Sequence, residues 1–597
     1  MKTKTILGAT IGNCVHVAGV ANFLRIASDA GFDTELLGIA VPVDKIINAV
    51  KEKKPDVLAL SYRLTPDNGK ILLNELLDKL ETFPNLKLLF GGLPELAEYA
   101  EKTNRFIMCF KGDEIYNKID YAITLLKGKT AKIPKMFEKH YRSVSISQKM
   151  ENLPSASKGS FYPLLRHHFG LPSLEDTIKG VKKIAEAEVL DIISLAPDQN
   201  AQEYFFYPEK MDPKLDGTGG VPLRKASDLR KIFMASQTGN YPKIRIYSGT
   251  RDLLKWAKLS VKELKNAWGA VPIFWFSELD GRSKRPLLGA IKENQAVIRW
   301  YGQHNIPVEV LEPHQWSLRD APDSVAIAMA FIGAYNAKTL GVKHFIAQYM
   351  FNTPRYTAPF YDLGKMLAKL SLIETLRDDN FIPYRQVRAG LSHFSIDQEI
   401  ARGQLITSSV NMLGLRPHIL HVVGFSEGNH AAHPDDVIAA CKMIHGMLKN
   451  TSLGLPDPLH DKRIFLIKEK LLKDASWVLG TIYALGKFLH SKNPLSDPEI
   501  LLKAVELGIL DAPHLRGQPH ALGIVETRPF EGGCKAIDQI NREVLTEQDR
   551  LKIIFERGPA KDILGKSAKK LITQLDLPKN EIYCPQVLEN NTIMNNI

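Results

Sequence analysis

The sequence predicts an α/β chain built from two successive parallel-strand units. The first is an open, doubly wound sheet over residues 1–130. The second is an eightfold strand–helix barrel over residues 165–455, followed by a helix- and loop-rich C-terminal region, 456–597. Three observations predict this. Short apolar runs alternate with helical periodicity from the first residues onward. The same alternation resumes near residue 165 and continues to about 455. Small or polar residues follow the ends of three strands of the first series, on the edge where open α/β sheets bind ligands.

The elements follow in order. Strands are predicted at 4–9, 34–39, 56–61, 86–90 and 105–109, and helices at 17–30, 43–52, 69–81, 94–102 and 113–126. Strand–helix alternation with apolar strands is the signature of a parallel sheet covered on both faces. Residues 131–164 carry Lys, Ser and Pro with little periodicity and read as a linker. In the second series the apolar strand candidates are Val189–Leu195, Ile244–Tyr247, Val271–Phe276, Pro307–Leu311, His344–Gln348 and His418–Val423. Helical patterns intervene, among them Pro322–Leu340, Asp362–Asp378 and Pro434–Leu448. A series of this length fits a closed barrel better than a second open sheet, which stays as the alternative. Residues 456–597 read as helix-rich, then loop-rich around Asp511–Asp538, then a polar tail.

Composition narrows the class. At 597 residues, 44% hydrophobic and 24% charged, the chain is of ordinary globular composition and long enough for three to four domains at about 150 residues each. No run of about 18 apolar residues predicts a membrane span, and the N-terminus runs straight into a strand without a secretory segment. Five cysteines without CxxC spacing (Cys14, Cys109, Cys441, Cys534, Cys584) argue against a disulfide framework or a zinc site and fit a cytoplasmic setting. The net charge of +12 is spread along the chain, with no compact basic block interleaved with aromatics, so neither nucleic acid nor a membrane surface is expected as a partner.

Three strand ends of the first unit carry its chemistry. After the first strand comes Ile11-Gly12-Asn13-Cys14-Val15-His16-Val17-Ala18-Gly19, which places His16 on a strand-to-helix loop. The third strand ends Leu60-Ser61-Tyr62-Arg63-Leu64, and the fourth ends Phe90-Gly91-Gly92. Glycines there let a large flat ligand approach the backbone. Together these resemble the cobalamin-binding domain of the B12-dependent mutases and of methionine synthase, whose pattern is Asp-x-His-x-x-Gly, Ser-x-Leu and Gly-Gly. The resemblance implies a flavodoxin-like domain in which His16 is the axial ligand to cobalt, and Cys14, Gly19, Ser61, Gly91 and Gly92 line the cofactor's seat. Two positions depart from the pattern. Cys14 stands where the family has the aspartate that orients the histidine, and Arg63 stands where it has leucine. A cysteine accepts hydrogen bonds poorly, so the histidine is expected to be held differently here.

An ordered series in the second half resembles the large catalytic subunit of glutamate mutase (methylaspartate mutase). It comprises Asp198-Gln199-Asn200 with Gly219-Gly220-Val221-Pro222, Tyr247-Ser248-Gly249-Thr250-Arg251-Asp252, Glu312-Pro313, Gly341-Val342-Lys343-His344 with Gln348-Tyr349, Gly508-Ile509-Leu510-Asp511-Ala512-Pro513, and Arg528 with Gly532. The resemblance implies an adenosylcobalamin-dependent radical isomerase, with cofactor and catalytic regions fused in one chain and a homodimeric state. Glu312 takes the family's general-base position, which meets a substrate amino group. Gln315, Trp316 and Tyr349 would line the pocket, and Glu427 or Asn429 would contact the adenosine. The family's arginine claw is replaced by Tyr247 and Lys292, with a third member missing; Arg245, Arg251 and Arg282 are the nearby substitutes. The substrate is therefore expected to be an amino or carboxylic acid other than glutamate. A cobalamin-dependent methyltransferase and a non-enzymatic cobalamin-binding protein are the alternatives. His430 and His433 have metal-like spacing but no apparent third ligand, and read as loop histidines.

Overall fold

The fully buried run Val57–Tyr62 is the central strand of the first sheet, and its lack of any exposed residue is what a parallel strand covered on both faces requires. The computed structural model describes residues 4–111, 122, 126, 145–151, 163–451, 454 and 460–557. The chain divides into two units, Met1–Met136 and Phe137–Ile597. In the first, β1 (Thr5–Ile11), α1 (Ala18–Asp29), β2 (Asp33–Val41), α2 (Val43–Lys53), β3 (Val57–Tyr62), α3 (Pro66–Leu80), β4 (Lys87–Gly92), α4 (Pro94–Lys102) and β5 (Phe106–Phe110) follow one another. All ladders are parallel, in the order β2-β1-β3-β4-β5. The predicted helix at 113–126 and most of the linker at 131–164 lie outside the described residues, as does Cys584.

The sheet order reverses at β1, so a crevice opens between the carboxyl ends of β1 and β3, the place where ligands bind in such folds. Thr10 on β1 pairs with Ser61 on β3 there, and Ser61 pairs with Gly91 on β4. The three strand ends singled out in the sequence are thus direct neighbours.

The second unit is a barrel of eight parallel strands: β6 (Leu164–Phe169), β7 (Ile192–Leu195), β8 (Lys243–Ile246), β9 (Gly269–Val271), β10 (Val308–Val310), β11 (His344–Phe351), β12 (Ile382–Ala389) and β13 (Ile419–Val422). Neighbours run β8-β7-β6-β13-β12-β11-β10-β9, so the strands follow chain order around a ring that lacks a ladder between β8 and β9. That seam is bridged: Ala267 N–H donates to the Ile244 carbonyl at 2.8 Å, and Ile246 N–H donates to Asn266 Oδ1 at 3.1 Å.

Several predicted bounds change. β9 ends at Val271, and residues 272–276 leave the sheet as a loop. β11 continues to Phe351, and β6 and β12 were not predicted. The segment read as loops around Asp511–Asp538 contains an antiparallel hairpin, β14 (Glu526–Phe530) and β15 (Gly533–Ile537). Among the described residues, no helix is long and apolar enough to cross a membrane.

The helices around the barrel are named in chain order where the site needs them. α5 (Leu174–Glu186) follows β6, α6 (Leu287–Gln303) follows β9, and α7 (Glu312–Ser317) and α8 (Asp323–Thr339) follow β10; α9 (Pro359–Glu374) follows β11. α8 is buried on nearly all sides, because a 27-residue helix, α10 (Lys462–Phe488), packs over both α8 and α9. A helix that is apolar all round needs such a second layer. The C-terminal hairpin then ties to the barrel's helices: Cys534 N–H donates to Asp323 at 2.7 Å, and Ala358 N–H donates to the Gly532 carbonyl at 2.8 Å.

Asp511 closes this C-terminal wrap. Its carboxylate accepts from the N–H groups of Ala512 (2.8 Å), Gly523 (3.1 Å), Ile524 (2.9 Å) and Val525 (3.0 Å). Asp511→Ala leaves these donors unsatisfied and is expected to cost at least about 3 kcal/mol locally. Limited proteolysis checks this: cleavage between residues 511 and 537 should become much faster than in the wild type.

Candidate functional site

Two sites emerge, one in each unit. The first is the crevice of the N-terminal sheet. A groove of about 620 Å³, its open side included, runs along α1, β3 and β4 and is lined by Gly19, Val20, Phe23, Ser61, Gly91, Gly92 and neighbouring apolar residues. Its walls are predominantly carbon, and Ser61 supplies a hydroxyl. Glycine makes the space. A Cβ on Gly19 would meet no heavy atom within 4 Å, so any side chain there would project into room now free. Gly92 is different: a Cβ would lie 2.8 Å from the Tyr62 carbonyl oxygen, so packing alone demands glycine.

His16 is exposed on the loop above this groove. Its Nδ1 lies 3.9 Å from Cys14 Sγ. Cys14 itself is fully buried, and its sulfur accepts the Arg63 N–H at 3.2 Å. The Cys14 carbonyl accepts from Ala40 N–H at 3.0 Å and from the Thr10 hydroxyl. Cys14 therefore fastens the β1 loop to the β2 and β3 ends and touches His16 only weakly. The residues fit a cobalamin: an exposed imidazole over the crevice, with an apolar groove beside it opened by glycine. His16 would hold the cobalt, and the groove would hold the nucleotide tail.

The second site is the interior of the barrel at its carboxyl end. Glu309 on β10 is fully buried and is the hub of the interior. It accepts from Arg245 Nη2 at 3.0 Å, Arg166 Nη1 at 3.4 Å, Trp268 Nε1 at 2.9 Å and Gln386 Nε2 at 3.0 Å. Burial alone would raise its carboxyl pKa, but Arg166, Arg245 and the Trp268 N–H outweigh burial and hold it down at about 2. Arg166 is also bound by Ser194 and Gln386, and burial with the neighbouring Arg245 lowers it to about 9, still protonated at neutral pH.

Beside this hub is a cluster of buried cationic and aromatic side chains, the barrel's cationic chamber. Arg245 stacks over the Tyr247 ring at 4.3 Å, as a spacing of two along a strand requires, while its Nε and Nη1 have no hydrogen-bond partner. Tyr247 stacks on His168 (5.4 Å between ring centres, 12° between planes), with its hydroxyl 3.1 Å from His168 Nε2. His168 in turn packs against His421 at 4.6 Å, and both nitrogens of the buried His421 are unpartnered. Arg388 on β12 is buried, and its Nε donates to the Ala389 carbonyl at 3.1 Å. Burial, then the guanidiniums of Arg166 and Arg388, keep His168 and His421 neutral at physiological pH. Buried donors without partners are costly, and they mark where a ligand's acceptors belong.

The structure distributes the other sequence-predicted residues unevenly. Glu312 begins α7 and is fully buried, its oxygens taken by the Ile273 and Phe274 N–H groups (3.0 Å for the latter) and by Trp316 Nε1 at 3.0 Å. Burial pushes its carboxyl up to about 7 against those donors. Gln315 is buried beside it, accepting from Arg319 Nη1 at 2.7 Å. Arg251 lies in the loop after β8, half-exposed, stacked on Tyr207 at 4.6 Å. Glu427 and Asn429 are exposed in the turn after β13, where Asn429 donates to the Ile396 carbonyl and Glu427 acts electrostatically on Arg388. Two residues are not brought to the chamber. Lys292 is on the outer face of α6, paired with Glu499 at 2.9 Å. Tyr349 alternates with the inward Gln348 and lies between sheet and helices, in the field of Glu374, Arg385 and Arg377. His430 bonds Asp436, whose carboxylate also accepts the His433 N–H, so this pair closes a turn. Arg166, His168, Glu309, Arg388 and His421 were missed. The signal was present as polar residues two apart within Leu164–Phe169 and Ile382–Ala389.

Comparison with known proteins bears on the first unit. Residues 4–118 match the B12 binding domain family. Trimethylamine corrinoid protein 2 of Methanosarcina acetivorans is 32% identical over 123 residues, 20% of this chain and 55% of that protein. The trimethylamine corrinoid protein of Methanosarcina barkeri is 30% identical over 125 residues, 20% of this chain and 56% of that one. The chain thus spans about half the length of the curated relatives it matches. Among solved structures, a novel cobalamin-binding protein from Desulfitobacterium hafniense is 25% identical and covers 21% of this chain and 58% of its own, with a TM-score of 0.18. The cobalamin-dependent S-adenosylmethionine radical enzyme OxsB is 12% identical and covers 84% of this chain and 70% of its own, also with a TM-score of 0.18.

Proposed function

We propose, from a B12-binding domain at the N-terminus and a barrel with a buried cationic chamber, that this chain is an adenosylcobalamin-dependent isomerase acting on a small acid. The chamber carries the reading. A nearly closed barrel with unpartnered guanidinium nitrogens and imidazoles at its carboxyl end is built to hold an anion away from water. The reaction class comes from the ordered motifs of the second half that resemble the glutamate mutase large subunit. Adenosylcobalamin held at His16 and the first unit's groove would supply radical, hydrogen-abstracting chemistry. The chain's own residues do the rest. Arg245 and Arg388 hold the acid, and the Tyr247–His168–His421 stack shapes the space beside it. Glu312, half-protonated near neutrality, holds a proton at its carboxyl.

A second reading is methyl transfer. The sequence relatives of the first unit are corrinoid proteins named for trimethylamine and dimethylamine, and the adenosine-binding lysine of the mutase family is absent after β13. One titration tests both. Adding adenosylcobalamin to the wild type should give the absorption spectrum of a cofactor ligated by histidine, and His16→Ala should lose it. An organic radical signal on adding carboxylic acids then supports the isomerase. Demethylation of methylcobalamin without a radical supports the methyltransferase. No cobalamin binding at all overturns both.

A further inference from the structure

We propose that the barrel chamber takes a dianionic acid that carries no ammonium group. The inference deepens the reading above, on which it rests only in treating the chamber as the substrate site. The charge count comes first. Three buried guanidiniums, Arg166, Arg245 and Arg388, face one buried carboxylate, Glu309. Two positive charges are left over in a water-poor interior, where uncompensated charge is expensive. Among the described residues Arg388 has no carboxylate within ion-pair distance, and its hydrogen bond goes to a backbone carbonyl. A ligand bearing two negative charges balances the chamber.

The absence of an ammonium follows from what the neighbouring carboxylates already do. Glu309 is consumed by its four donors. Glu312 is held by two backbone N–H groups and Trp316. At the end of β7, Asp198 is clamped by both arms of Arg224 and by the Ala201 and Gly217 N–H groups. Asp280 is taken by Arg319 and the loop N–H groups of Phe276 and Ser277. Asp362 lies in the field of Lys365 and Lys369. Glu427 is exposed at the rim, where water screens it. His168, His314 and His421 are buried beside guanidiniums and stay neutral, so they supply no anion for a cation to meet. An amino acid would bring its ammonium among these groups with only the exposed Glu427, and none of these buried carboxylates, free to meet it. Against the expectation that Glu312 meets a substrate amino group stand the three protein donors its carboxyl already accepts from.

Isothermal titration of the full chain, without cobalamin, tests this with matched probes. Succinate and glutarate are compared with L-aspartate and L-glutamate, which have the same skeletons plus an ammonium, and inorganic phosphate serves as a compact dianion. At least one dianion should bind, and each amino acid should bind at least tenfold more weakly than its match. Arg388→Met should weaken dianion binding at least tenfold while leaving the circular dichroism spectrum and melting temperature unchanged. Arg245→Lys should weaken it as well while keeping a cation beside Glu309. An amino acid binding as tightly as its match, no dianion binding, or unaltered binding in Arg388→Met would overturn the proposal. Because no cofactor is present, these outcomes are independent of the cobalamin titration, and either reading can fail alone.

Discussion

Glu309→Gln is expected to destabilise the barrel by about 3–5 kcal/mol, the cost of stripping a buried ion network of its anion. The variant keeps one acceptor oxygen, and its amide NH2 must then face either Gln386 Nε2 or the Trp268, Arg166 and Arg245 donors, so lost hydrogen bonding adds to the lost charge. What it loses is the one carboxylate, among the described residues, that pairs with Arg166 and Arg245. The measurement is simple because all six tryptophans (256, 268, 275, 300, 316 and 477) fall within Phe137–Ile597, so tryptophan fluorescence during urea unfolding reports that unit alone. The pH dependence gives a second readout. Glu309 is held at about 2, below its ordinary 4.5, so its contribution is present above pH 4.5 and is lost as pH falls from 4.5 through 2. Glu312 runs the other way. Its carboxyl sits at about 7, so the stability it contributes is full below pH 4.5 and is lost as pH rises through 7. Glu309→Gln should therefore flatten the acid limb of the wild-type stability profile and leave the fall near neutrality in place. A variant as stable as the wild type, with the same acid limb, would mean that the guanidiniums find other anions.

The parts of the fold that were legible are those whose strands are apolar on both faces. Leu58, Leu60, Leu88 and Phe90 lie in unbroken buried runs, and each of the five N-terminal strands falls within a few residues of its predicted position. β6 and β12 were illegible for the opposite reason. Their sequences, LLRHHF and IPYRQVRA, carry polar residues two apart (Arg166 and His168, Gln386 and Arg388), which reads as surface until one knows that the barrel's interior is itself polar. The residues that hide those strands are the ones that build the chamber. Residues 272–276 failed in the other direction: an apolar run read as strand is a loop pinned by the Glu312 carboxylate through the Ile273 and Phe274 N–H groups. Motif matching carried residue types to roughly the right elements, but not to the right side of them. Tyr349 is one residue from Gln348, and on a strand one residue is the difference between the interior and the helical layer. Lys292 shows the same limit on a helix. In the first unit the matched Gly19, Ser61, Gly91 and Gly92 do line one groove, because glycine marks a place by what it lacks and needs no side-chain direction.

Gly19→Phe should therefore abolish cobalamin binding while leaving the first unit folded. Position 19 is the second residue of α1, where replacing glycine raises helix propensity by up to about 1 kcal/mol. No heavy atom stands within 4 Å of the new Cβ, so the folded state is not strained. The ring would instead enter the groove between α1 and the ends of β3 and β4, against Phe23, Ser61 and Gly91. A flat tail seated there loses its space outright, and at least a hundredfold weaker binding of cobalamin is expected in an absorption titration, with the melting temperature unchanged or slightly raised. Gly92→Ala is the instructive contrast. Its Cβ would press on the Tyr62 carbonyl, so any loss of binding would come with damage to the sheet. His16→Ala separates the two halves of the site: it removes the ligand over the crevice and spares the groove, so cobalamin should still bind, more weakly and with a changed spectrum. If Gly19→Phe binds cobalamin as tightly as the wild type, the groove is not where the tail lies, and the fit between this crevice and the cofactor must be redrawn around His16 alone.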